Sequence, residues 1–172
     1  MHKLNLHFCL DVKIKRKTPH NFKSDTITSE TVTRVIIMIE VISGKDRPEW
    51  VKDLLEDYSE VQMKMGMDFN GTESDSVIAI KDGDPVGIVM FNGKPSFRIN
   101  MIYAYPGHDD VIEPMLKSII SMAIFEGKDS VTVHSIGTNK ALNDLLYGLG
   151  FRNTTDCPCC QREEAIHMMI HF

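Results

Sequence analysis

Cys157 and Cys160, in the run Cys157-Pro158-Cys159-Cys160, are followed by His167 and His171, and these residues have the spacing that most directly suggests chemistry. Two thiolates so placed can hook a metal or act as a redox pair, and two neutral imidazoles would complete a tetrahedral zinc site. The gap to the histidines is much shorter than in a zinc finger, and both histidines fall along a strand pattern instead of one helical turn apart. The expectation is therefore no bound metal and a loop whose thiols do nothing specific, with oxidation of exposed neighbouring cysteines as the alternative. A second polar cluster is Gly107-His108-Asp109-Asp110, with Glu113 and Pro114 just beyond it. Its acids suit the positive end of a helix dipole, and Asp110 and Glu113 have the spacing of a capping box.

The elements that must position these groups follow from the hydrophobic period. Leu4, Leu6, Phe8, Leu10, Val12 and Ile14 alternate with polar residues as in a half-buried strand, and residues 15–33 form a polar connection without period. Residues 34–42 read as a strand buried on both faces. Asp46, Pro48 and Glu49 start a helix over about 47–66, with Trp50, Val51, Leu54, Leu55, Tyr58, Val61 and Met65 on one face. Met63, Met65 and Met67 read as ordinary core at its end.

The Asp82-Gly83 pair predicts a hairpin between strands 77–80 and 85–91, and the next strand covers 96–105. A broad apolar stripe from Val111 to Ile124 predicts a helix stopped by Gly127. A strand over 130–136, a short helix carrying Leu142, Leu145, Leu146 and Leu149 and stopped by Gly150, and a last strand over 165–172 complete the chain.

At 172 residues, 42% hydrophobic and 25% charged, the chain fits one domain with a full core. Residues 1–33 precede that domain, which covers 34–172. A net charge of −5 leaves no basic surplus for nucleic acid or an anionic membrane. No apolar run reaches bilayer-spanning length and the N-terminus lacks the apolar core of a signal peptide, so a cytoplasmic location is expected. Four cysteines, three in one loop, suit reduced thiols.

Strand, helix, three antiparallel strands, helix, strand, helix and closing strand is similar to the element order of the GNAT family of N-acetyltransferases from about residue 34 onward. The run TNKALNDLLYGLGF resembles that family's N-x-x-A-x-x-L-Y-x-x-x-G-F signature, with Asn139, Leu145, Gly150 and Phe151 in register. INMIYAYP is similar to the family's fourth strand and its closing proline. The fold class implied is α/β, a mixed, mostly antiparallel sheet flanked by helices, here with an extra N-terminal strand.

The resemblance implies an acetyl-CoA-dependent transferase acting on the amine of a small molecule or peptide by direct attack on the thioester. Backbone groups at Ile102, Tyr103 and Ala104 would bind the pantetheine arm and acetyl carbonyl. The turn Gly107, His108, Asp109, Asp110 and Val111 would meet the pyrophosphate, and Asn139 would contact the cofactor arm.

The family often gives protonation of the departing thiolate to a Tyr of the last helix. That register falls on Leu146, with Tyr147 about 100° further round. His108, His134 and Tyr103 are the titratable candidates for the base that acts on the amine. Read alone, Tyr147 is a packing residue, His108 is a turn residue and His134 is a surface or satisfied histidine. The phosphate turn departs from the family's glycine-rich pattern, since Gly107 is its only glycine. A carboxylate about 5 Å from a phosphate charge would cost roughly 3 kcal/mol at an effective dielectric near 20. The competing expectation is therefore a non-catalytic member of the fold, a binding or dimerisation module. The N-terminal strand would add to a sheet edge or pair with a partner chain, as in a homodimer.

Overall fold

The computed structural model describes residues 5–6, 37–42, 48–51, 74–154 and 165–172. Most of the expected 47–66 helix, the three methionines of 63–67, residues 15–33 and Cys157, Cys159 and Cys160 lie outside the described residues; a helical turn is seen at 49–51.

The described strands form one eight-stranded sheet. They are β1 (Asn5–Leu6), β2 (Ile37–Ile42), β3 (Asp75–Lys81), β4 (Asp84–Asn92), β5 (Phe97–Ala104), β6 (Ser130–Ile136), β7 (Arg152–Asn153) and β8 (Ala165–His171). Their order in the sheet is β1-β2-β3-β4-β5-β6-β8-β7. Every neighbouring pair is antiparallel except β5 and β6, which run parallel. β1 pairs with β2 and so extends the sheet edge. Asp82 and Gly83 both have positive φ, at 55° and 95°, as the expected two-residue hairpin turn requires.

A parallel pair needs a crossover. It is supplied by helix α1 (Ile112–Phe125), whose buried stripe of Met115, Leu116, Ile119 and Ala123 recurs at helical spacing. Helix α2 (Lys140–Gly148) adds Leu146 to the same core. That core lies on the sheet face formed by Ile37, Ile39, Val77, Val89, Phe91 and Ile99. The opposite face carries a second cluster, in which Val51 of the 49–51 turn packs with Ile78, Ile88, Met90 and Met101. Each fully buried large side chain of α1 contributes about 2 kcal/mol of apolar burial. No helix among the described residues is long and apolar enough to cross a membrane.

The Gly150-Phe151 pair of the sequence signature ends α2. Gly150 takes φ 100° and donates to the Tyr147 carbonyl at 3.1 Å, while the Phe151 N–H donates to the Leu146 carbonyl at 3.0 Å. This is a Schellman motif, and only glycine adopts its left-handed position cheaply. The chain then drives Phe151 into the core against the helices, where it is fully buried.

Candidate active site

Three local features of the backbone shape the candidate site. At β5, Phe91 pairs with Ile99 but Met90 pairs with Met101, so Asn100 is a bulge that redirects the strand. Its side-chain amide donates to the Ser74 hydroxyl at 3.1 Å. Just there the parallel pairing stops. Residues Phe97, Arg98 and Ile99 pair with Val131, Thr132 and Val133, while β5 from Asn100 to Ala104 and β6 from His134 to Ile136 have no pairing with each other. Among the described residues, Ile102, Tyr103 and Ala104 therefore keep β4 as partner on one side only, opposite Val89, Ile88 and Gly87.

The second feature is Gly87. A Cβ there would lie 2.8 Å from Val111 Cγ2, 2.9 Å from Met115 Cε and 3.2 Å from the Tyr103 carbonyl oxygen. The missing side chain lets the start of α1 seat directly on β4.

The third is the turn between β5 and α1. Tyr105 N–H donates to the Val86 carbonyl at 2.9 Å, His108 N–H to the Tyr105 carbonyl at 2.9 Å, and Val111 N–H to the His108 carbonyl at 3.1 Å. The Ile112 N–H donates to the Asp109 carbonyl. The backbone N–H groups of Gly107, Asp109 and Asp110 have no acceptor among the described residues. They stand at the positive end of α1, where such donors favour an anion. Gly107 has φ 86°, and nothing lies within 4 Å of where its Cβ would be. The Nδ1 atom of His108 is buried without a hydrogen-bond partner among the described residues.

The acidic residues of the turn do not form the expected capping box. A 3-10 turn over Asp109–Val111 precedes α1, so the capping position falls on apolar Val111, one residue past Asp110. Neither end makes a side-chain cap. Asp110 is instead paired with Lys81 at 3.0 Å, and Glu113 with Lys117 at 2.7 Å on its own helix. Lys81, at the end of β3, thus places a cation beside the turn. The sequence offered no signal for that contact, because the two residues meet only through the hairpin.

The remaining candidates are spread around this frame. Asn139 caps α2, its Oδ1 accepting the Leu142 N–H at 3.2 Å. Leu146 is fully buried, whereas Tyr147 is exposed and donates its hydroxyl proton to Asn153 Oδ1 at 2.7 Å. His134 is the first residue of β6 past the parallel pairing, on the opposite face from buried Val131 and Val133. It lies directly across from His167 of β8, and the two rings stack with centroids 4.6 Å apart and 18° between planes.

Burial, then the His167 charge, then Arg98 push the His134 pKa down to about 4. His167 is also lowered, by burial and then by Arg98. Both rings are neutral at pH 7.

The unfolded chain thus binds more protons than the folded chain once pH drops below the ordinary histidine value of 6.5, so stability falls from there toward about pH 4. Urea unfolding at several pH values should show that decline, with a shallower slope in His134→Phe. An unchanged slope in the variant would rule out His134 as a contributor.

Solved structures that resemble this one include several acetyltransferases. The IAA acetyltransferase from Bacillus cereus ATCC 14579 has a TM-score of 0.59 at 17% identity, covering 79% of this chain and 99% of that one. A GNAT-family acetyltransferase from Staphylococcus aureus Mu50 has a TM-score of 0.55 at 12% identity, over 77% and 98%. The Salmonella typhimurium protein YncA, solved with its cofactor acetyl-CoA, has a TM-score of 0.50 at 17% identity, over 69% and 72%. No family model and no curated protein matches the sequence. The chain has the GNAT N-acetyltransferase fold.

Proposed function

We propose that the protein is an acetyl-CoA-dependent N-acetyltransferase whose acceptor is the amine of a small molecule or peptide. The observation that carries this reading is the set of N–H donors at Gly107, Asp109 and Asp110 that have no acceptor among the described residues, set beside the parting of β5 and β6. Those donors suit a pyrophosphate despite the acidic side chains, because N–H direction is fixed by the backbone while one of the two carboxylates is already neutralised by Lys81. The unpaired edge of β5 at Ile102, Tyr103 and Ala104 suits an amide-bearing pantetheine arm, which needs strand-like hydrogen bonds. When bound, acetyl-CoA supplies the activated acyl group.

The chain's own groups then have distinct tasks. The turn from Gly107 to Asp110 meets the phosphate end, Val111 anchors that turn in the core with its own N–H held by the His108 carbonyl, and His108 Nδ1 offers the turn a further polar contact. His134, uncharged above about pH 4 and so a weak base, can accept a hydrogen bond from the neutral amine and orient it, and Tyr147 is the proton donor for the departing thiolate. Asn139 holds the start of α2 and lies in the register that contacts the cofactor arm.

Acetyl-CoA at about a hundred times its Kd should add about 2.7 kcal/mol of stability, seen as a rise in Tm. No rise at millimolar ligand would sink the enzyme reading and favour the non-catalytic module.

The charges of the turn give a finer test by calorimetric titration. Asp109 has no ion-pair partner among the described residues. Asp109→Asn should tighten acetyl-CoA by several-fold, and Lys81→Ala should weaken it by a similar factor, since one exposed charge interaction is worth up to about 1 kcal/mol. Equal affinities in all three proteins would mean that these side chains never face the phosphates.

A further inference from the structure

We propose that Arg98, His134 and His167 form an oxyanion site beside the β5–β6 opening that receives a carboxylate carried by the acceptor. The role as an acceptor site rests on the acetyltransferase reading; the anion site itself does not.

The sheet register brings the three residues together from three strands. Arg98 is opposite Thr132 in the parallel pair, one residue before that pairing ends at Ile99, and His134 is the first residue of β6 beyond it. His167 is directly across from His134 on β8. On each strand the neighbouring residues are the buried ones: Phe97 and Ile99, Val133, and Met168. Side chains alternate along a strand, so Arg98, His134 and His167 share the face away from α1 and α2.

Their chemistry selects the ligand. Arg98 is exposed and no carboxylate pairs with it among the described residues, in a chain with 24 acidic residues against 19 Lys and Arg. His167 Nδ1 is buried without a hydrogen-bond partner among the described residues. A neutral imidazole keeps one N–H donor, and a guanidinium presents a planar fork that matches a carboxylate. The electrostatics agree: burial is the main cause that keeps both rings unprotonated, and the Arg98 charge, close enough to act on both, adds to it. A metal cation would meet the same repulsion. With both imidazoles neutral, the cluster carries a single positive charge, which matches a monoanionic carboxylate better than a phosphate dianion.

The test uses the full chain, with acetate and inorganic phosphate as probes and the imidazole C–H signals of His134 and His167 followed by NMR. Acetate should move both signals saturably and more tightly than phosphate does. Arg98→Gln should require about tenfold more acetate for the same movement. His167→Phe, which keeps a ring in the stack, should also weaken acetate. Signals that ignore acetate, or that respond equally in wild type and Arg98→Gln, would overturn the proposal; tighter binding of phosphate would overturn the carboxylate assignment. Acetyl-CoA stabilisation, measured on the same Arg98→Gln sample, should be unchanged. Its absence in wild type would refute the transferase reading while leaving the acetate result to decide the anion site.

Discussion

Gly87→Val should lower stability by about 1–3 kcal/mol, the usual cost of forcing extra carbons into a packed site, and should weaken acetyl-CoA binding more than stability alone explains. The added Cβ would come within 2.8 Å of Val111 and 2.9 Å of Met115, and within 3.2 Å of the Tyr103 backbone oxygen. The methionine can swing aside, but the carbonyl belongs to the strand and cannot yield cheaply. Relief therefore comes from lifting the first turn of α1 off β4. The Gly107, Asp109 and Asp110 N–H groups ride on that turn, so their aim is lost with it. Urea melts and calorimetric titration of the variant check both parts. Wild-type stability and affinity together would show that α1 does not depend on this close approach. Gly87→Ala, with the same Cβ but no branches, should fall between the two.

Phe151→Ala should cost about 3–5 kcal/mol, the range for removing a fully buried aromatic ring. Against a total stability of roughly 5–15 kcal/mol, that is a large share. Phe151 is the hydrophobic anchor of the motif that ends α2, packed into the same core as Leu146, Met168 and α1. Its loss leaves a cavity where α2 meets the sheet. The turn after Pro106 leads into the other helix, α1, so acetyl-CoA affinity measured well below the variant's Tm should remain close to wild type. Thermal melts together with binding at low temperature separate the two effects. A cost under about 1 kcal/mol would mean that the site collapses freely and that the anchor role is wrong.

Much of the fold is legible because its signals are local. The period change between residues 77–136 places β3, β4, β5, α1 and β6 within a residue or two of their observed bounds. The pairs Asp82-Gly83 and Gly150-Phe151 mark a turn and a helix stop through backbone conformations that few other residues adopt. What escapes local reading is contact across strands. The capping-box spacing of Asp110 and Glu113 is real in the sequence, yet the 3-10 turn moves the helix start by one residue and gives Asp110 to Lys81 instead. The bulge at Asn100 carries no composition signal, although it sits where β5 leaves β6. The stacking of His134 on His167 depends on the β6–β8 register, which two sequence segments 33 positions apart do not announce. Gly87 reads as one more strand residue until the helix above it is seen.

The central claim is that the backbone of the turn after Pro106, and not its acidic side chains, decides cofactor binding. Amide-resolved NMR of the full chain during an acetyl-CoA titration tests it directly. The predicted result is saturable movement of the Gly107, Asp109 and Asp110 amide signals, persisting in Asp109→Asn. Amides at that turn that stay still at millimolar acetyl-CoA, or a response confined to other parts of the chain, would contradict it.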